Sequence, residues 1–146
     1  MDVYSIGFTQ TTAAHFFGRL SASGVRRLMD VRLHPGSQLS GFAKDRDLPY
    51  FLRELVDADY VHEPLLTPTE DILKDFKRRS AMPWEEYERR YLELLRQRRV
   101  ETELDPETFA APTALLCSEA TPEQCHRRLA LEYLREQWGG IEIVHL

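Results

Sequence analysis

At 146 residues the chain has the length of one domain with a sizeable core, and its 42% apolar and 10% aromatic content is that of a globular fold. A formal net charge of −5 gives no overall electrostatic case for nucleic acid binding, and two cysteines do not make a secreted disulfide scaffold. No apolar run approaches a membrane span and Met1-Asp2-Val3-Tyr4 lacks a basic signal-peptide start, so a cytoplasmic protein without a membrane partner is expected.

Val3 to Ile6 reads as a short strand ending at Gly7. Phe8 and Thr9 then lead into a helix from about Thr12 to Ala22, with Phe16, Phe17 and Leu20 on one side and Gly24 as its stop. Leu28 to Val31 is the second strand, and so short a strand–helix–strand spacing predicts a parallel pair with a right-handed crossover. Asp30-Val31-Arg32 ends that strand. A long loop follows from Leu33 to Phe42, rich in Gly, Ser and Pro, including His34, Pro35 and Ser37. A helix from Asp45 or Asp47 to Val56 carries Phe51, Leu52, Leu55 and Val56 on its apolar side, and Tyr60-Val61-His62 is the third strand.

Two helices are predicted next, roughly Thr69 to Arg79 and Pro83 to Arg99, the second with Trp84, Tyr87, Tyr91, Leu94 and Leu95 at steps of three and four. Their many basic residues are interleaved with acids between Glu70 and Glu93, which fits a solvated helical hairpin better than a polyanion-binding face. Thr113 to Leu116 is the fourth strand. Thr121-Pro122-Glu123-Gln124 has the capping-box pattern of a helix start, with proline at the first helical position. The helix that follows places Arg127 on one face with Ala130, Leu131, Leu134 and Trp138, so its guanidinium points inward. An inward arginine needs a carboxylate, backbone carbonyls or a bound anion. An internal salt bridge to Asp30 or Glu119 and a ligand clamp both meet that need. Ile141 to Val144 is a closing strand that reaches His145.

The expected fold is a single α/β domain over residues 1–146: a doubly wound, Rossmann-like, mainly parallel sheet of about five strands, with a helical-hairpin insertion before the fourth strand. Each strand ends at polar residues: Gly7 to Thr9, Asp30 with Arg32, His62 with Glu63, Cys117 with Glu119, and His145. In a parallel sheet these exits share one edge. The reading adopted is a site there for a small anionic, phosphorylated or nucleotide-like ligand. Thr9, Arg32, Ser37, His62, Cys125 and Arg127 are its binding candidates, with helix N–H groups at Thr121 to Gln124 assisting. Cys117, Glu119, Asp30 and His126 are the candidates for acid, base or nucleophile, and whether a reaction occurs at all is left open.

A Walker lysine loop and G-x-G-x-x-G are both absent, and Glu119 and Glu123 bring negative charge close to the anion site. Thiol catalysis at Cys117 is the alternative, favoured by Arg127 and His126 nearby, although no arginine stands six residues on as a phosphatase loop requires. A buried strand-end cysteine is also a common packing residue, and Cys125 shares a stripe with Leu129 and Tyr133. The spacing of Cys117, Cys125, His126, His62, His145 and Glu119 matches no closed zinc pattern, so no metal is assigned and the cofactor is unknown. A non-catalytic regulatory or nucleic-acid-associated module built on the basic helices is a further alternative, opposed by the net acidity.

Ile6-Gly7-Phe8-Thr9, Asp30-Val31-Arg32 with Pro35 and Ser37, Tyr60-Val61-His62, the run Leu115 to Glu119 through Cys125-His126-Arg127-Arg128, and Val144-His145-Leu146 resemble the family called domain of unknown function 488 (DUF488). The likeness spans nearly the whole chain and centres on the Cys-His-Arg block. It implies a small cytosolic α/β protein of bacterial or archaeal type without an established activity. Family members often carry Gly-His-Ser where this chain has Gly7-Phe8-Thr9, and a glycine pair where it has Leu65-Leu66-Thr67.

Overall fold

The computed structural model describes residues 1–36, 41–77 and 82–146. Five strands form one sheet: β1 (Asp2–Gly7), β2 (Arg27–Asp30), β3 (Asp59–His62), β4 (Thr113–Cys117) and β5 (Glu142–His145). Their order is β3-β2-β4-β1-β5 and every pairing is parallel. β4 is buried at all five positions, which is why its sequence is an unbroken apolar run and not an alternation.

Alternate residues of the central strands face two separate cores. Ile6, Leu28, Ala114 and Leu116 pack with Phe16, Phe17 and Leu20 of α1 (Ala13–Ala22) and Leu48 and Leu52 of α2 (Leu48–Leu55). Val3, Met29 and Leu115 pack on the opposite side, with Tyr91 and Leu95 of α4 (Trp84–Arg98) and Leu131 and Leu134 of α6 (His126–Trp138). Between β3 and β4 the chain also forms α3 (Glu70–Lys77) and the single turn α5 (Val100–Glu103). Phe76 of α3 meets Tyr87 of α4 with ring centroids 4.8 Å apart, and the connection between these helices lies outside the described residues. Several basic residues of this segment are paired, Arg90 with Asp75 at 2.9 Å and Arg96 with Glu93 at 3.6 Å, as the interleaved acids led one to expect.

α1 starts where the sequence places it. The Thr12 hydroxyl accepts the His15 N–H at 3.1 Å, and Gly24, with φ of +71°, ends the element in a backbone conformation that favours glycine. α6 does not. The capping-box residues Thr121 to Gln124 form an irregular turn, and the helix begins at His126 with Cys125 as its extended N-cap residue. Two side chains account for the delay. Arg128 donates to the Pro122 and Glu123 carbonyls at 3.2 and 3.0 Å, and Arg127 donates to the Glu119 carbonyl at 2.7 Å, so tertiary donors hold the segment in a folded-back loop. The ring of N–H groups expected at Thr121 to Gln124 is therefore not a helix N-terminus.

This topology sets the site. β1 passes to α1 on one face while β4 passes to α6 on the other, and the two strands are neighbours with Gly7 opposite Cys117. A crevice opens where connections diverge in this way. β2 and β3 end beside it, with Asp30 in register with both Leu116 and His62. Among the described residues no helix is long and apolar enough to cross a membrane.

Candidate functional site

Cys117 is the last residue of β4, on the face that α6 covers, and is 6% exposed. Its sulfur lies 3.6 Å from His126 Nδ1. His126 Nε2 is 2.8 Å from the Val31 carbonyl oxygen. That oxygen can only accept, so the hydrogen sits on Nε2 and the lone pair on Nδ1, and the Cys117 sulfur lies near both ring nitrogens, 3.8 Å from Nε2. The Tyr91 ring meets the imidazole edge-on with centroids 5.4 Å apart, and the Tyr91 hydroxyl is held by the Leu66 carbonyl at 2.7 Å, so the ring has little room to turn. Cys125 completes the group: the two sulfurs and a ring nitrogen of His126 lie within 4.8 Å of one another, all buried.

The two thiols are driven apart in acidity. A hydrogen bond from Cys125, helped by the backbone of Ser118 and Glu119 and the charge of Arg127, holds the Cys117 thiol below its ordinary pKa against the opposing effect of burial. Burial, together with the neighbouring Cys117, pushes the Cys125 thiol well up. Cys117 is thus the more acidic of the two thiols, with Cys125 as its hydrogen-bond donor.

The predicted arginines behave differently from each other. Arg32, 2% exposed, makes a two-pronged ion pair with the fully buried Asp30, Nε to Oδ1 at 2.9 Å and Nη2 to Oδ2 at 2.7 Å. Asp30 also accepts from the Tyr60 hydroxyl at 2.7 Å, and Arg32 donates to the Ala43 carbonyl and lies over the Phe8 ring. Arg127 is 0% exposed and turns inward as its helical face requires, yet neither Asp30 nor Glu119 offers it a carboxylate. Its Nε donates to the Ser5 hydroxyl at 3.2 Å and its Nη1 to the Glu119 main-chain carbonyl at 2.7 Å; the Glu119 side chain belongs to an exposed residue. Gly7 makes room for this contact: a Cβ there would lie 1.7 Å from the Glu119 carbonyl oxygen. Arg32 Nη1 and Arg127 Nη2 are each buried without a hydrogen-bond partner.

A cavity of about 160 Å³ opens beside the cysteines. Of the sequence candidates it is lined by Arg32, Cys117, Glu119, Cys125 and His126. Asp30 lies behind Arg32. Thr9 is occupied in tying two strand exits together, its hydroxyl donating to the Ser118 carbonyl at 2.8 Å. His62 Nε2 is bonded to the Arg32 carbonyl at 2.7 Å, and Arg127 sits between β1 and the loop after β4. Ser37 lies outside the described residues.

The rest of the wall includes Gln124 of the capping-box segment and residues that were not site candidates, among them His34, Tyr87, and Leu73 and Phe76 of α3. Tyr87 belonged to a stripe read as core, and its exposure of 3% agrees with packing. His34, which contacts Glu70, carried only the signal of its place in a long strand-end loop. Cys117, Cys125 and His126 could together hold a metal; they supply two sulfurs and one imidazole.

No curated protein and no solved structure matches the chain. The family described as Domain of unknown function DUF488 matches it over residues 12–134, a span that takes in the exits of β2, β3 and β4, the cavity and the Cys-His-Arg block, and the chain therefore belongs to that family.

Proposed function

We propose that the chain is a cysteine-dependent enzyme acting on a small anionic substrate in this cavity. The observation that carries the reading is the Cys117 sulfur at 3.6 Å from a His126 Nδ1 whose tautomer the Val31 carbonyl fixes. A thiol beside an imidazole that is itself held by an acceptor is the kind of grouping that supports thiol activation. The Cys117 S–H proton passes to Nδ1, and the thiolate attacks the electrophilic centre of the substrate. The group displaced from that centre leaves with the proton from His126. Arg32 supports an anionic substrate because it lines the same cavity and keeps one buried N–H group without a partner. Tyr87, Leu73 and Phe76 give the cavity an apolar wall that restricts water.

The test is alkylation of the folded, metal-free protein by iodoacetamide at neutral pH, mapped by peptide mass spectrometry. Cys117 is expected to react at least about tenfold faster than free cysteine and than Cys125, with the excess lost in His126→Ala. Phosphate or sulfate should slow the labelling, and nucleotides can be screened the same way. Inertness of Cys117 in the folded state would remove the nucleophile and the reading with it.

A further inference from the structure

We propose that Cys117, Cys125 and His126 form a binding site for a thiophilic transition-metal ion, zinc(II) or cobalt(II), with a fourth position open toward the cavity. The inference goes beyond the thiol reading and does not rest on it. Sequence spacing conceals the site, because seven residues separate the cysteines and the set matches none of the usual zinc patterns. The fold removes that separation: β4 delivers Cys117 to the sheet edge, and the folded-back loop returns the chain so that Cys125 and His126 open α6 beside it.

Three geometric facts support an ion here. Each of the three residues offers a ligand atom within 4.8 Å of the other two. The Cys117 Sγ to His126 Nδ1 distance of 3.6 Å matches the separation of about 3.5 Å that follows for a sulfur and a nitrogen on one tetrahedral zinc, from bonds of about 2.3 and 2.0 Å. His126 also has the outer contact that metal-binding histidines use, since Nε2 donates its hydrogen to the Val31 carbonyl and leaves Nδ1 as the donor atom. Cys125 makes no capping hydrogen bond with its side chain, so helix capping does not occupy its sulfur.

The charge balance suits a buried site. Two thiols release two protons to solvent as they take one divalent ion, and the resulting centre of two thiolates, one neutral imidazole and the ion has no net charge. Three protein ligands with an open position match the pattern of a reactive zinc site, not a closed structural one. An ion held there uses the Cys117 lone pair and silences the thiolate, so metal-loaded and metal-free protein would differ in reactivity toward alkylating agents.

The experiment is anaerobic titration of the reduced, metal-free full chain with cobalt(II). Saturation at one equivalent is expected, with a thiolate-to-cobalt band in the near ultraviolet and the strong visible bands of a tetrahedral ion, both discharged by zinc. Cys125→Ser and His126→Ala should each weaken binding at least about tenfold. Absence of the thiolate-to-cobalt band in the wild type overturns the proposal, as does unchanged affinity in a Cys125→Ser protein whose circular dichroism is native. Should that variant not fold, the wild-type spectrum alone decides. The two readings part cleanly: rapid alkylation of Cys117 without cobalt binding leaves the thiol reading standing and ends the metal site. Cobalt binding by a protein whose metal-free Cys117 is inert does the reverse.

Discussion

The two buried arginines at the sheet edge solve the same problem in different ways. Arg32 leaves β2 beside its own counter-ion, and Asp30 collects four donors: the Arg32 backbone N–H, two guanidinium N–H groups and the Tyr60 hydroxyl. Arg127 comes from α6, on the other face of the sheet from α1 and α2, and finds only neutral acceptors, a hydroxyl and a main-chain carbonyl. The first guanidinium is therefore paired with a carboxylate, with Nη1 left over, while the second has no carboxylate at hydrogen-bonding distance. The charge of Arg127 is felt around it. After the larger effects of the Cys125 hydrogen bond and of burial respectively, Arg127 lowers the pKa of Cys117 and of His145, and after burial it lowers that of Arg19. Arg32 holds the β2 exit together; Arg127 sets the electrostatics of the rim.

Breaking the Asp30–Arg32 pair should have the largest effect. Asp30→Asn keeps the shape of the side chain and removes its charge, leaving a guanidinium that is 2% exposed without its counter-ion. A loss of about 3–5 kcal/mol in urea unfolding is expected, as when one partner of a buried pair is removed. Arg127→Met should be milder, about 2 kcal/mol or less. It forfeits the bonds to Ser5 and Glu119 but also removes an unpaired charge from the core, so the two terms oppose each other. If Arg127→Met proves the more damaging of the two, the distinction between the paired and the unpaired guanidinium fails.

How far the sequence anticipates this contrast depends on the range of the interactions. The parallel sheet, its shared edge and the inward turn of Arg127 follow from apolar runs and helical stripes, which are properties of consecutive residues. Arg127's acceptors could not be read that way, since one is a main-chain carbonyl and the other is Ser5, 122 residues earlier. The start of α6 was misplaced because a capping box is a local signal, and here Arg127 and Arg128 outbid it for the carbonyls of the loop. The Cys117–Cys125–His126 group was legible residue by residue, but its closeness is a property of the turn between them, which has no periodicity to read. Thr9 and His62 were correctly placed at the sheet edge, yet their side chains are spent on neighbouring carbonyls.

The smallest effect is the most direct probe of the Arg127 charge. Arg127 Nε donates to the Ser5 oxygen, so the Ser5 hydroxyl hydrogen is free to point at His145 Nδ1, 2.5 Å away, and that nitrogen must be unprotonated to receive it. Burial first, and Arg127 second, hold the His145 pKa below its ordinary value of 6.5. A group whose pKa is lower in the folded state contributes stability that is present above the unfolded value and is lost as pH falls through the folded one. Wild-type melting temperature should therefore drop more between pH 7 and pH 5 than that of His145→Gln, by a modest margin because His145 is exposed on an edge strand. Proton NMR titration of the imidazole sharpens the point. In Arg127→Met the midpoint should rise part of the way toward 6.5, burial being the largest of the remaining causes, with Arg128 beside it. An unmoved midpoint would mean that the guanidinium's charge is already neutralised where it lies, and the contrast with Arg32 would disappear.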